Sequence, residues 1–358
     1  MKDRLARCRD LLDDLGLDGV VVGESADVRY LSGFRGDDTT LIIGRDDALI
    51  CSDSRFWGQA REEAPGFELV EAVGGDLIAD TVAAAARRLG AVARLGFQGG
   101  SLTYEEYRRL RRRHRGRLCD VRARVSRLRA VKDAAEIAVM RRAGALTDEA
   151  LAAVVGRGLV GRREADVAWD LLAEYHRLGG GEAFPAIVAS GAHGAQAHAI
   201  PGERVIAAGE LVVIDTGARL DGYCSDITRT FAAGEPSPEL RRVYDVVLAA
   251  QIAGLAAVRD GAHGRDDVDA AARAVIVAAG YGEQFGHGTG HGVGLDVHEA
   301  PGLGRTRGDA LAAGMVCTVE PGIYIEGLAG VRIEDTVLVT ATGGERLTAF
   351  PKELQIVA

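Results

Sequence analysis

The sequence predicts an α/β domain followed by an α+β domain. Its 358 residues are more than twice the ~150 expected of one domain. Over roughly the first 120 residues, short apolar runs alternate with helical patterns, which is typical of an α/β layer. In the remainder, long helical patterns surround strands that carry acidic residues. This grouping favours a curved sheet backed by helices.

The elements of the first domain follow from that alternation. The predicted strands are Gly19–Val22, Thr40–Gly44, Ala48–Ser52, Phe67–Val73 and Ala93–Phe97. The predicted helices are Lys2–Leu15, Ser54–Ala64, Ile78–Leu89 and Tyr104–His114. No His, Asp, Glu or Cys cluster typical of a site occurs here, so we expect this domain to support the other one.

An arginine-rich stretch predicts the domain boundary. Eleven arginines lie between Arg108 and Arg129. A nucleic-acid patch is one interpretation, but no aromatic residue interrupts the run. A solvated helix face followed by a connector is therefore favoured. We place the N-terminal domain at residues 1–125, the connector at 126–132 and the second domain at 133–358.

Helix signals are clear in the second domain. The predicted helices are Ala134–Val155, Glu164–Leu178, Pro238–Val258 and Asp266–Ala279. Ser237 can cap the third helix, and Pro238 suits its first position. Gly280 is a natural C-terminal cap for the fourth.

Composition excludes several classes of protein. A formal net charge of −9 argues against nucleic acid as the main partner. The N-terminus lacks a signal peptide's apolar run, and no stretch reaches the ~18 apolar residues of a membrane span. The five cysteines are scattered, which fits reduced thiols. We therefore expect a cytoplasmic protein.

One segment, Gly286–Glu299, concentrates three of the chain's eight histidines in the sequence GHGTGHGVGLDVHE. A flexible surface loop is one interpretation. A phosphate-binding glycine loop is another, but no clear strand precedes the segment and no helix signal follows it. Histidine is the commonest side-chain metal ligand and the usual proton carrier near neutral pH. A metal or acid–base site is therefore the favoured interpretation.

Two predicted hairpins place acidic residues across from each other. Asp221-Gly222 is a tight-turn signal, which brings Asp215 and Asp226 nearly opposite. Glu320 and Glu334 are likewise centred on a turn. Acidic residues are depleted from strands and rarely buried unpaired, so a cation is expected between them. Four carboxylates and one imidazole suit a pair of divalent cations such as Mn²⁺, Co²⁺ or Zn²⁺, and the chemistry implied is metal-assisted hydrolysis.

The chain resembles the family of methionine aminopeptidase, aminopeptidase P and prolidase over nearly its whole length. The motifs that carry the resemblance are IDTGARLDGYCSDITRTF, GHGTGHGVGLDVHEAPG, TVEPGIYI and GVRIEDTVLV. It implies a pita-bread α+β catalytic domain behind a creatinase/prolidase-type α/β domain. One departure is Gly302, where the family often has a basic or aromatic residue.

The resemblance also implies a role for each site residue. The implied metal ligands are Asp215, Asp226, His291, Glu320 and Glu334. Asp226 and Glu334 would bridge two ions, with Mn²⁺ favoured, and Glu320 would take a proton from the bridging water. His198 and His298 would act on the scissile carbonyl or the leaving nitrogen. His287, Tyr324 and Arg332 would line the substrate groove.

The implied function is hydrolysis of the bond between an N-terminal residue and a following proline, by a metal-bridged hydroxide. Aminopeptidase P activity on short peptides is slightly preferred, and strict cleavage of Xaa-Pro dipeptides, as in prolidase, is the alternative. More remote alternatives are a creatinase-like C–N hydrolase and a non-catalytic binding homologue. The resemblance also implies a homodimer.

Overall fold

The computed structural model describes residues 2–73, 75–306 and 308–358. The chain divides into two units, Met1–Arg129 and Ala130–Ala358. Both combine helices and sheets, which confirms the predicted fold class.

The first unit is built on a mixed sheet. Its strands are β1 (Gly19–Val22), β2 (Thr39–Gly44), β3 (Ala48–Asp53), β4 (Glu68–Ala72), β5 (Leu95–Phe97) and β6 (Leu118–Asp120). They follow the order β4-β3-β2-β1-β5-β6, with β2 antiparallel to both neighbours and the other pairs parallel. Its helices are α1 (Lys2–Leu15), α2 (Ser25–Ser32), α3 (Trp57–Glu63), α4 (Leu77–Leu89) and α5 (Tyr104–Arg113), followed by 3₁₀ turns at Arg122–Arg124 and Ser126–Arg129.

Two elements of this unit were not predicted. Helix α2 spans only eight residues and no side chain caps its N-terminus, so it lacks the usual start signal. Strand β6 has three residues and lies within the arginine-rich stretch. Both elements therefore depend on packing more than on local sequence signals.

The second unit contains the remaining elements. Its helices are α6 (Ala134–Val155), α7 (Glu164–Arg177), α8 (Pro238–Ala257) and α9 (Ala270–Ala278), with a π-helical turn at Gly264–Asp269 and 3₁₀ turns at Gly191–Ala195 and Gly282–Gln284. Its strands are β7 (Gly181–Glu182), β8 (Ile187–Ser190), β9 (Glu210–Thr216), β10 (Ala218–Leu220), β11 (Tyr223–Cys224), β12 (Ile227–Ala233), β13 (Gly290–Gly292), β14 (Glu299–Leu303), β15 (Val316–Val319), β16 (Gly322–Ile325), β17 (Ala329–Arg332), β18 (Asp335–Val339) and β19 (Gly344–Arg346). In the described part of the chain, no helix combines the length and the apolar character that crossing a membrane requires.

Antiparallel sheets form the centre of this unit. Their strand orders are β11-β10-β7, β12-β9-β8, β14-β13-β15-β18-β19 and β16-β17. The first hairpin turns at Asp221-Gly222, whose φ angles of 46° and 83° fit the predicted tight turn. At Gly217, a side-chain Cβ would lie 2.0 Å from the Ser225 carbonyl oxygen, so only glycine allows the two strands of this hairpin to approach here.

The buried side chain of Arg229 links strands of two different sheets. Arg229 on β12 is 1% exposed, and its guanidinium donates to Asp335 Oδ1 on β18 at 2.7 Å. It also donates to the carbonyl oxygens of Phe350 at 2.6 Å and Pro351 at 2.9 Å. Burial alone raises the pKa of Asp335, but the charges of Arg229 and Lys352 outweigh it and lower the pKa. Arg229 therefore ties β12, β18 and the C-terminal segment into one unit.

We expect Arg229→Met to lower the free energy of unfolding by about 3–5 kcal/mol, because it leaves Asp335 buried with less counter-charge and several carbonyls without a donor. Urea unfolding measures the difference. Arg241→Met is the matched control, since Arg241 pairs with Glu235 on the surface and a surface pair contributes about 0–1 kcal/mol. Equal destabilisation by the two substitutions would contradict the role given to Arg229.

Candidate metal centre

Both hairpins and the histidine segment contribute to one cavity of about 530 Å³ in the second unit. All ten residues singled out from the sequence line it: Asp215, Asp226, His291, Glu320, Glu334, His198, His298, His287, Tyr324 and Arg332. They come from several segments spread between His198 and Glu334 in the sequence. The antiparallel pairing of the strands brings them together.

In the first hairpin, the two aspartates are diagonal neighbours on one face. Asp215 pairs with Thr228, and the register places Gly217 opposite Asp226. The sequence predicted that the aspartates would lie nearly opposite, so the register differs by two residues. Because side chains alternate with a period of two, this shift keeps both carboxylates on the same side of the sheet.

In the second hairpin, the two glutamates occupy equivalent positions across the strands. Val319 pairs with Asp335, and Gly322 pairs with Arg332. Glu320 follows Val319, and Glu334 precedes Asp335. The two glutamates therefore face each other, as the sequence predicted. Asp335 points to the other side, towards Arg229. Alternation along β18 therefore separates the carboxylate that lines the cavity from the one that stabilises the fold.

His291 is oriented as a ligand. One side-chain atom each of Asp226, His291 and Glu334 lies within 4.8 Å of the others. The Nδ1 atom of His291 lies 3.1 Å from the carbonyl oxygen of Gly292, which can only accept a hydrogen bond. Nδ1 therefore carries the proton, and the lone pair of Nε2 faces Asp226 Oδ2 at 3.6 Å and Glu320 Oε1 at 3.4 Å.

The carboxylates repel one another. Burial, together with the charges of Glu334, Asp215 and Glu320, raises the pKa of Asp226 well above its ordinary value. Burial and the charges of Glu320 and Asp215 raise the pKa of Glu334 in the same way. The pKa of Glu320 is also raised, chiefly by burial. Burial is the largest cause for all three groups, and the neighbouring negative charges add to it for Asp226 and Glu334.

Asp215 is the fourth carboxylate, and only one of its two oxygens accepts a hydrogen bond from the described residues. Its Oδ2 accepts a 2.6 Å hydrogen bond from Arg332. Its Oδ1 is buried and accepts no hydrogen bond from any residue that the structure describes. A buried carboxylate oxygen without a donor is costly, and a cation would satisfy it.

These observations fit a divalent cation site. The donors are carboxylate oxygens and one imidazole nitrogen, which are ligands that Mn²⁺, Co²⁺ and Zn²⁺ accept. The raised pKa values and the unsatisfied Oδ1 of Asp215 would both be relieved by positive charge in the cavity.

A hydrogen-bonded chain connects Asp215 to the wall of the cavity. Arg332 Nη1 donates to the Tyr324 hydroxyl at 2.7 Å, and that hydroxyl lies 2.9 Å from Nε2 of His287. His287 Nδ1 lies 2.7 Å from the carbonyl oxygen of Gly288, so Nδ1 holds the proton and Tyr324 donates to Nε2. Burial lowers the pKa of His287, which keeps it neutral in this role.

Two further histidines lie at the open side of the cavity. The rings of His298 and His291 meet edge to face with centroids 4.2 Å apart, and burial lowers the pKa of His298. His198 is exposed on the loop after the 3₁₀ turn at Gly191–Ala195. His193 on that turn bonds Glu164 outside the cavity instead. Both His198 and His298 can therefore reach a molecule that enters.

Sequence reasoning missed two groups of site residues. Thr228 donates to Glu334 Oε2 at 2.6 Å, and Thr318 Oγ1 accepts a hydrogen bond from the His291 amide at 3.1 Å. Period-two alternation with Asp226 could have identified Thr228. The second group forms an apolar wall of the cavity and had no sequence signal: Phe184, Pro185, Ile187, Ile200 and Val297.

Comparison with known proteins identifies relatives along the whole chain. Metallopeptidase family M24 matches residues 138–341, and the Creatinase/Prolidase N-terminal domain matches residues 4–131. An Xaa-Pro dipeptidase from Pyrococcus furiosus is 35% identical, over 99% of this chain and 100% of its own. The solved structure of an Xaa-Pro dipeptidase from Bacillus anthracis is 38% identical with a TM-score of 0.94, and the match covers 99% of both chains. That of an X-Pro aminopeptidase from Thermotoga maritima is 33% identical with a TM-score of 0.88, and the match covers 99% of this chain and 100% of that one.

We expect Asp226→Asn to raise the stability of the metal-free protein at neutral pH by about 1–3 kcal/mol. Asp226 and Glu334 have higher pKa values in the folded state than in the unfolded state. Their contribution to stability is therefore fully present when the pH is below the unfolded-state pKa, and it is lost as the pH rises through the folded-state pKa. The advantage of the variant should therefore grow with pH. Thermal melts in a chelator, from pH 5 to pH 8, measure it.

Asp221→Asn is the matched control, since Asp221 lies on the same hairpin with its side chain 63% exposed. It should change stability little at any pH. If Asp226→Asn destabilised the metal-free protein throughout this range, the carboxylate repulsion described above would be refuted.

Proposed function

The chain belongs to metallopeptidase family M24, and on that premise we propose that it is a dinuclear exopeptidase that hydrolyses the bond between an N-terminal residue and a following proline. The observation that carries the proposal is the single cavity in which four carboxylates and His291 converge beneath His198 and His298. The names of the similar proteins supply the substrate class, since they are an X-Pro aminopeptidase and Xaa-Pro dipeptidases.

We propose that five side chains hold two divalent cations, with Mn²⁺ favoured. They are Asp215, Asp226, His291, Glu320 and Glu334, and Asp226 and Glu334 would be shared between the ions. Divalent cations held there would acidify a water molecule and polarise the scissile carbonyl. The unsatisfied Oδ1 of Asp215 and the free lone pair of His291 Nε2 support this assignment.

The chain's own residues supply the remaining chemistry. Glu320 borders the cavity with a raised pKa, so its carboxylate is suited to accept the proton of the attacking water. The new C–O bond forms as the carbonyl becomes an oxyanion, to which His198 or His298 can donate a hydrogen bond. The C–N bond then breaks, and the proton passes to the proline nitrogen. His287, Tyr324 and Arg332 would line the proline side.

Two substrate lengths remain as candidates. The sequence slightly favoured aminopeptidase P, and the similar X-Pro aminopeptidase supports that preference. The similar Xaa-Pro dipeptidases support the alternative, with higher identity. We therefore propose Xaa-Pro dipeptides as the first substrate class and longer Xaa-Pro peptides as the second.

Three further proposals come from the sequence. We propose that residues 1–125 form the N-terminal domain, that this domain supports a homodimer, and that the protein acts in the cytoplasm. The match of residues 4–131 to the Creatinase/Prolidase N-terminal domain supports the first of them.

We expect the protein, stripped of metal and reloaded with Mn²⁺, to release free proline from Ala-Pro. The rate on Ala-Pro should exceed the rate on Ala-Pro-Ala, and Ala-Ala should not be cleaved. Amino acid analysis of the products measures all three. Release of alanine from Ala-Pro-Ala with no action on Ala-Pro would favour aminopeptidase P, and no cleavage of either with any divalent metal would reject the proposed function.

We expect His298→Ala to lower kcat on Ala-Pro by about 10²–10³-fold, because the oxyanion or the leaving nitrogen loses a hydrogen-bond donor. Its metal content should equal that of the wild type, since His298 is not a proposed ligand. Asp226→Asn should lose both activity and metal. Elemental analysis beside steady-state kinetics separates the two effects, and metal loss in His298→Ala would contradict the role given to His298.

A further inference from the structure

A buried ion pair lies directly behind the segment that carries His298. Lys132 Nζ donates to Glu299 Oε1 at 2.6 Å, and the two side chains are only 1% and 3% exposed. Lys132 Nζ also donates to the carbonyl oxygen of Ala130 at 3.1 Å. Two charges buried this completely carry a large desolvation cost, so their geometry is strongly constrained by each other.

The carboxylate of Glu299 fills the inside of a turn. The turn runs from Gly294 to Glu299 and includes His298. The Asp296 amide donates to Glu299 Oε2 at 3.5 Å, and a Cβ on Gly294 would lie 2.5 Å from Glu299 Oε1. The backbone of the turn therefore closes around this carboxylate.

The same residue is fixed to the strand that carries His291. Glu299 pairs with Gly292, the residue after His291, where β13 and β14 run antiparallel. His298 precedes Glu299, and its ring contacts the His291 ring at a centroid distance of 4.2 Å. His298 therefore lies between the turn that encloses the Glu299 carboxylate and the strand that carries His291.

We propose that Lys132 is a positioning residue that acts through Glu299 to hold His298 over the cavity. Lys132 lies outside the cavity and contributes no atom to it. Lys132 fixes the Glu299 carboxylate, around which the turn is built. It thereby fixes the side chain of His298, which lies in that turn. The expected loss of kcat rests on the proposed function, whereas the expected change in the position of His298 does not.

The kinetic test is a double-mutant cycle on the full-length, metal-loaded protein. Lys132→Met should lower kcat on Ala-Pro at least tenfold with a smaller change in KM. In a His298→Ala background, the same substitution should change kcat by less than about twofold, because the residue through which it acts is gone. An equal fold-change in both backgrounds, or no change in either, would overturn the proposal.

Arg141→Met is the matched control. Arg141 pairs with Glu345 at 2.6 Å in the same unit, but on the surface, with side chains 44% and 49% exposed. This variant should keep the wild-type kcat. A loss of kcat equal to that of Lys132→Met would assign the effect to general loss of charge and would overturn the proposal.

A second variant guards against poor folding of Lys132→Met, which removes the positive charge beside the buried Glu299 carboxylate. Lys132→Met/Glu299→Gln removes both charges of the pair and should melt nearer to the wild-type temperature than Lys132→Met does. Its kcat should nevertheless stay low, because the ion pair that fixes the turn is absent. Recovery of the wild-type kcat together with stability would show a role in folding alone and would overturn the proposal.

An NMR measurement separates this proposal from the proposed function. The imidazole Hε1 resonance of His298, identified by its loss in His298→Gln, should shift in the double variant. The Hε1 resonance of His176, on α7, should not shift. This result is expected even if no Xaa-Pro substrate is cleaved. An unchanged His298 resonance would overturn the positioning role whatever the activity.

Discussion

Electrostatic repulsion among buried carboxylates is the constraint on which the catalytic unit depends. Asp226, Glu320 and Glu334 have raised pKa values because burial and their neighbours oppose their charges. A fold gains nothing from such a cluster by itself. The arrangement becomes favourable when a cation supplies the missing positive charge. Metal binding therefore relieves the repulsion among the acidic residues that the sheets hold together.

The scaffold resists this repulsion by using both faces of the same strands. Glu334 faces the cavity, and Asp335 beside it faces the buried guanidinium of Arg229. On β12, Thr228 donates to Glu334, whereas Arg229 points to the opposite side. Glu334 and Asp335 thus place a repelled carboxylate on one face and a buried ion pair on the other, and β12 supplies a hydrogen bond to the first and the guanidinium to the second. Period-two alternation makes this separation possible.

The histidine segment shows why glycine is concentrated near the site. A Cβ at Gly290 would lie 2.1 Å from the Thr318 carbonyl oxygen, and one at Gly292 would lie 2.2 Å from that of Ala300. These glycines let β13 lie close to its neighbouring strands and present His291 to the acidic residues. The atoms that approach these glycines closely are therefore in the backbone of the neighbouring strands.

The sequence by itself determined most of the helices, the strands β1 to β5, the turn at Asp221-Gly222, the turn between Glu320 and Glu334, and the chemical types of the site, because each depends on local periodicity or on residue chemistry. Tertiary structure alone decided the two-residue offset between Asp215 and Asp226, the apolar wall at Phe184 and Val297, and the Lys132–Glu299 pair. These features join residues that are distant in the chain or depend on strand register. A single sequence carries no periodic signal for such contacts, since packing and charge pairing fix them only when the strands come together.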